Sequence, residues 1–184
     1  GVHGGAISIN GDTSLIDVVN CIFTSNSADQ RGGAIYHAGQ NLRVVNSLFN
    51  TNSAGDFGGA IYAFGLSAPA EYEVTNSTFY NNESGDLTGG LRAFSAEGFV
   101  RNSIFHLNTD ANPASSLELS NIETTSAGTL DISYSWVTGL STYAGNNNVG
   151  SAGLPGFADA NGADNVVAVG LPGFADANGA DNVV

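Results

Sequence analysis

The chain has 184 residues, enough for one domain or a short solenoid, with 17 acidic against 4 basic side chains and a formal charge of −13. The basic residues are all arginines (Arg31, Arg43, Arg92 and Arg101), which argues against a nucleic-acid partner or an anionic membrane surface, since both need clustered Lys and Arg. An apolar share of 42% is too high for a disordered chain, no run approaches the ~18 apolar residues of a membrane span, and a lone cysteine, Cys21, forbids an intrachain disulfide.

Taken in order, the chain repeats itself. "HGGAISING" at 3–11 returns as "RGGAIYHAG" at 31–39, as "FGGAIYAFG" at 57–65 and, more weakly, as "TGGLRAFSA" at 88–96. A second motif, Asn-x-x-Phe-x-x-Asn, alternates with the first. It reads Asn20…Phe23…Asn26, Asn46…Phe49…Asn52, Asn76…Phe79…Asn82 and Asn102…Phe105…Asn108, at spacings of 26, 30 and 26. Two motifs kept in phase over four copies point to a repeat architecture.

The segments are poor in helix formers. Their apolar residues come in short alternating bursts, "AISI", "LIDVV", "LRVV", "YEVT", "LELS" and "LDIS", and alternation over four to six residues predicts strands. About three such bursts per repeat, separated by Gly or Asn turns, predict an all-β fold: a right-handed parallel β-helix of about five to six coils with three short strands per coil. In that fold Phe23, Phe49, Phe79 and Phe105 stack inside the solenoid. Asn20, Asn46, Asn76 and Asn102 stack at a turn, where asparagine tolerates left-handed geometry and amides can bond from coil to coil. Asn26, Asn52, Asn82 and Asn108 are candidates for the same at the next corner. Cys21 shares its position with Ser47, Ser77 and Ser103 and reads as a small packing residue.

The fourth copy departs from the others, with Leu91-Arg92 in place of Ala-Ile. Arginine in the core is costly, so Arg92 is expected to face outward. Without a register shift, Ile7, Ile35 and Ile61 then face outward too, as an exposed stripe. With a shift of one residue in the fourth copy they face inward. After residue 112 the motifs fade, although 115–140 still alternates and predicts one more coil with Trp136 near its end. Residues 1–144 read as the β-helix and 145–184 as a C-terminal tail. In the tail "GLPGFADANGADNVV" occurs at 153–167 and again, letter for letter, at 170–184. Asp159, Asn161 and Asp164, repeated as Asp176, Asn178 and Asp181, put oxygen ligands around a glycine in the manner of calcium loops, although the acidic residue that would complete an EF-hand is missing. A solvated turn is the alternative. No cofactor is certain; calcium at the tail is the one candidate.

The alternation of "GGAI" with "FxxN" resembles the repeats of polymorphic outer membrane proteins and, more broadly, right-handed parallel β-helix proteins of bacterial cell surfaces. The resemblance implies a secreted or surface-displayed extracellular protein with an adhesive or structural role. Parallel β-helices also host polysaccharide lyases and hydrolases, which work through a basic residue or clustered aspartates. Lysine is absent here and Asp17 stands isolated. Asp29, Asp56 and Asp86 suggest an acidic row before the glycine bend, suited to a solvated turn, a cation or a sugar. No catalytic residue is assigned and the chain reads as non-enzymatic; a polysaccharide lyase or hydrolase is the weakest of the readings kept. His3, His37 and His106 read as surface or packing residues.

The sequence enters its repeat almost at once, with no segment to shield the first coil. Either a longer product supplies the shield, or copies of the chain stack head to tail into an extracellular filament or surface layer. A monomeric cell-surface adhesin or carbohydrate-binding module, directed at surface glycans, is the competing reading.

Overall fold

A computed structural model describes residues 1–11, 15–65, 70–126 and 128–141. The first rung runs β1 (Ile7–Asn10), β2 (Leu15–Val19), β3 (Ile22–Thr24) and β4 (Ser27–Ala28). The second repeats it as β5 (Ile35–Gly39), β6 (Asn41–Val45), β7 (Leu48–Asn50) and β8 (Ser53–Ala54). The third consists of β9 (Ile61–Gly65), β10 (Glu71–Thr75), β11 (Thr78–Tyr80) and β12 (Glu83–Ser84). The fourth consists of β13 (Leu91–Phe94), β14 (Glu97–Arg101), β15 (Ile104–His106) and β16 (Thr109–Asp110). A short helix, α1 (Leu117–Asn121), leads into a partial fifth rung of β17 (Ile122–Thr125), β18 (Leu130–Ser133) and β19 (Trp136–Val137).

Each strand pairs in parallel with its counterpart one rung away. Among the described residues this makes three five-stranded sheets and one four-stranded sheet. The fold is therefore an all-β parallel solenoid of four full turns and a part of a fifth, slightly shorter than the expected five to six coils. Each full turn carries a fourth, two-residue strand that the sequence does not mark, because two residues are too few to show alternation. The burst "LELS" is α1 rather than a strand. Ser116 caps it by accepting a hydrogen bond from the Leu119 N–H, 3.3 Å, as serine does at a helix start.

Alternation sets what each strand buries. In β6, Leu42 and Val44 point inward while Asn41, Arg43 and Val45 point out. In β10, Tyr72 and Val74 point inward against Glu71, Glu73 and Thr75. Tyr72 is large for its place, and the paired position in the next rung is Gly98, where a Cβ would collide with the tyrosine ring. The large–small pair keeps the core filled without overlap.

Of the two orientations open for the Gly-Gly strand, the isoleucines face inward. Ile35, Ile61, Leu91 and Ile122 form one fully buried column, so no outward isoleucine stripe exists. The fourth rung is slipped by one residue: Leu91 pairs with Ile61 and Arg92 with Tyr62. Gly90 then sits where the others have alanine, and Thr88 takes the place of Gly32 and Gly58. Those glycines have φ of +63° and +64°, and Thr88 adopts +59°, uncommon for a β-branched residue. Two bonds hold it there: its N–H donates to Asp110 Oδ2 at 3.3 Å and its hydroxyl to Glu123 Oε2 at 3.0 Å.

Candidate functional site

Three columns run through the solenoid along its axis. Phe23, Phe49, Phe79 and Phe105 stack with ring centroids 4.8, 4.6 and 4.4 Å apart and planes within 8°, close to the ~4.8 Å strand spacing. Beside them runs an amide ladder. The Nδ2 of Asn26, Asn52, Asn82 and Asn108 each donates to the Oδ1 of the next amide, at 2.9, 2.9, 2.8 and 2.8 Å, and Asn121 of α1 supplies the last acceptor. Nδ2 of Asn52, Asn82 and Asn108 also donates to the carbonyls of Phe23, Phe49 and Phe79, each at 3.0 Å. The ladder is thus tied to the aromatic column.

The other asparagine set plays a different part. Asn20, Asn46, Asn76 and Asn102 take φ near +50° to +55° at the corner after the second strand of each rung, and their side chains are exposed. The residue that follows each makes a hydroxyl ladder that the sequence reading missed. The N–H groups of Cys21, Ser47, Ser77 and Ser103 donate to the Oγ of Ser47, Ser77, Ser103 and Ser135, at 3.1–3.2 Å. The recurring Asn-Ser pair was its signal. Cys21 sits at the open end of this ladder, partly buried against the core.

The acidic row does not run through three rungs. The Asp56 N–H donates to the Gln30 carbonyl at 2.7 Å and the Asp86 N–H to the Asp56 carbonyl at 3.0 Å. Gln30 therefore occupies that column in the second rung, and Asp29 lies one position off.

The outer face of the first sheet carries a second cluster of side chains, separate from the core. Tyr36 and Tyr62 stack at 5.9 Å, and His3 stacks on Tyr36 at 4.5 Å. Arg31 and Arg92 both lie against Phe57, with Cζ 5.5 and 4.7 Å from its centroid, and Arg31 also lies 5.2 Å from Tyr62. Arg92 does face away from the core, but it is only 9% exposed. It is covered by this packing and ion-paired to Glu123, Nη1 to Oε2, at 2.8 Å. Burial raises the Tyr62 phenol above its usual value, opposed by Arg31 and then Arg92. Counterparts in adjacent rungs, such as Arg31 and Phe57, Tyr36 and Tyr62, or Tyr62 and Arg92, stand 26 to 30 residues apart in sequence, and the rung register brings them together.

On the second sheet Arg43 bridges Asp17 at 3.4 Å and Glu73 at 3.7 Å, and Arg101 meets Asp131 at 3.0 Å. Asp17 is thus paired across a rung rather than isolated. On the third sheet His106 Nδ1 lies 2.7 Å from Thr138 Oγ1, which also accepts from Trp136 Nε1 at 3.3 Å. Burial lowers the His106 pKa below 6.5. His37 is buried as well. Among the described residues no group of three His, Cys, Asp or Glu is placed to hold a metal ion. The candidate calcium ligands Asp159, Asn161, Asp164, Asp176, Asn178 and Asp181 lie outside the described residues. Among those described, no helix is long and apolar enough to cross a membrane.

Comparison with known proteins agrees with this geometry. No curated protein and no solved structure matches the chain. The family model of the Chlamydia polymorphic membrane protein repeat matches residues 20–38 and 46–63. Each match begins at the corner asparagine, runs through the stacked phenylalanine and the ladder amide, and ends in the Gly-Gly strand of the next rung. The chain is a parallel β-helix repeat protein whose rungs resemble polymorphic membrane protein repeats.

Proposed function

We propose that this chain is a structural and adhesive β-helix of the bacterial surface, and that copies associate through the open edge of the first rung. The repeat match supports the surface setting. The association rests on one observation: among the described residues β1, β2, β3 and β4 are each the outermost strand of their sheet, which offers four backbone edges to a partner strand. Leu15 and Ile22 there are 65% and 73% exposed. Among the described residues Asn26 donates to the ladder and no further amide donates to it, so its Oδ1 is the acceptor at the ladder's end. An unpaired strand edge is completed by pairing with another.

A filament or surface layer built head to tail needs a second open end. The last described rung is instead buried at Ile122, Ile132 and Val137, which favours a closed pair over a fibre. The expected result of light scattering on the full chain at micromolar concentration is a mass of two copies, with Ile22→Asp returning it to one. A single-copy mass for the unaltered chain sinks the association and leaves the surface β-helix standing as a monomeric adhesin. Long uniform fibres in negative-stain electron microscopy restore the filament.

A further inference from the structure

We propose that Asn76 is a glycosylation site, whose side-chain amide takes a sugar from an activated sugar phosphate. The inference goes beyond the association of copies and does not depend on it. The acceptor triplet for such a transfer is Asn-x-Ser/Thr. Of the asparagines in the chain only Asn76, in Asn76-Ser77-Thr78, and Asn82, in Asn82-Glu83-Ser84, open one.

The structure separates the two. Asn82 is fully buried. Its Nδ2 donates to Asn108 Oδ1 at 2.8 Å and to the Phe49 carbonyl at 3.0 Å, and its Oδ1 accepts from the N–H and Nδ2 of Asn52. The Ser84 hydroxyl is sealed from solvent. A sugar on that nitrogen would break the amide ladder. Asn76 instead stands at an exposed corner with φ +52°. Among the described residues neither its amide nor the Thr78 hydroxyl has a hydrogen-bond partner, so both are open to a transferase. A bulky polar adduct is tolerated at such a surface position.

The repeat is its own control. The residue two places after each corner asparagine lies on the outer face of the third sheet. In register that column reads Ile22, Leu48, Thr78, Ile104 and Trp136. Its one hydroxyl falls in the third rung, and that hydroxyl completes the acceptor triplet. Asn20, Asn46 and Asn102 hold the same corner at φ +50° to +55° without it. The neighbouring rungs show that the strand accepts a plain apolar residue at this place, as β-propensity predicts. In the transfer the amide nitrogen bonds to the anomeric carbon. The bond from that carbon to the phosphate oxygen breaks, its electron pair leaves with the phosphate, and the amide proton passes to a base of the transferase.

The test is tandem mass spectrometry of the full chain purified from the cells that make it, with electron-transfer fragmentation to locate added mass. The expected result is a sugar on Asn76 and none on Asn46, Asn82 or Asn102. The sugar should be lost in Thr78→Val and kept in Thr78→Ser, both made in the same cells. Thr78→Val restores the apolar column and should keep the native circular dichroism spectrum, which separates loss of the sugar from loss of the fold. A single hexose identifies a nucleotide sugar as the donor, and an oligosaccharide block a polyprenyl-linked one. A bare Asn76 in the protein from those cells, a sugar on Asn82, or a sugar retained in Thr78→Val overturns the site.

Discussion

The first and last described rungs continue the same columns, yet they finish differently. In the first, Ile7 and Ile16 remain partly exposed although they align with buried residues one rung on. In the last, Ile122, Ile132 and Val137 are fully buried. The amide ladder shows the same asymmetry. At the far end Asn121 takes the final bond from Asn108, and its own Nδ2 donates to the carbonyls of Leu117 and Thr138 at 2.7 and 3.3 Å. The five residues of α1 therefore finish the ladder. At the near end Asn26 is only a donor to the amide above. A column of identical units is stable in its middle because each unit has two neighbours, so what happens at an end is decided by residues outside the repeat.

The largest test of that difference is truncation along the aromatic column. Phe79→Ala, with a ring on both sides, should cost about 3–5 kcal/mol in equilibrium unfolding by urea. Phe23→Ala, with a ring on one side, should cost about half as much. Equal losses would mean that the first rung is as enclosed as the third. Next comes the ladder. Asn82→Ala strips the acceptor from both the N–H and Nδ2 of Asn52, two buried donors, for a cost of about 2–4 kcal/mol. Asn26→Ala, which orphans no donor of this kind, should stay below about 1 kcal/mol in the same assay.

The covered end can be probed through Glu118. This buried carboxylate accepts from the N–H and Oγ of Ser141 at 3.0 and 2.9 Å. Glu118→Gln sets an amide NH₂ against one of those donors and should cost about 1–2 kcal/mol. The loss should appear in Trp136 fluorescence before the bulk of the circular dichroism changes; coincident transitions would show that the end rung does not loosen separately. The smallest effect is that of acid on His106. Its folded pKa lies below 6.5 because burial disfavours the charged ring. The unfolded chain therefore binds the proton first. The stabilisation is full above the unfolded pKa and is lost as the pH falls from there toward the folded value. Urea midpoints at about pH 7.5 and about pH 5.5 should differ less in His106→Gln than in the unaltered chain.

The rung register was readable because the phenylalanine column and its flanking asparagines recur in phase, and each phenylalanine must bury its ring. The division of labour between the two asparagine sets was less readable. Both sets are compatible with a corner, and only the geometry separates the exposed left-handed Asn46 from the inward, doubly bonded Asn52. The slip at Leu91 was hidden because the eye aligns glycines, whereas the structure aligns buried side chains and lets Thr88 stand in a glycine's place. The cluster around Arg31 was legible only in part. Tyr36 and Tyr62 hold the same place after Gly-Gly-Ala-Ile, and Arg31 and Phe57 the same place before the glycines, but Arg92 joins them only through the slip of the fourth rung.

The spacing between Asn46 and Asn76 is four residues longer than its neighbours. The surplus falls between the end of β9 at Gly65 and the start of β10 at Glu71, a junction that in the rung before runs only from Gly39 to Asn41. Length is thus a variable this architecture can change in two ways. A gene can gain or lose a whole rung, or it can lengthen a corner and hang new sequence outside. A single residue inserted within a strand would invert every side chain downstream in that strand. Diversity among such proteins should therefore be written at the corners and in the number of turns, while the strands between them stay in step.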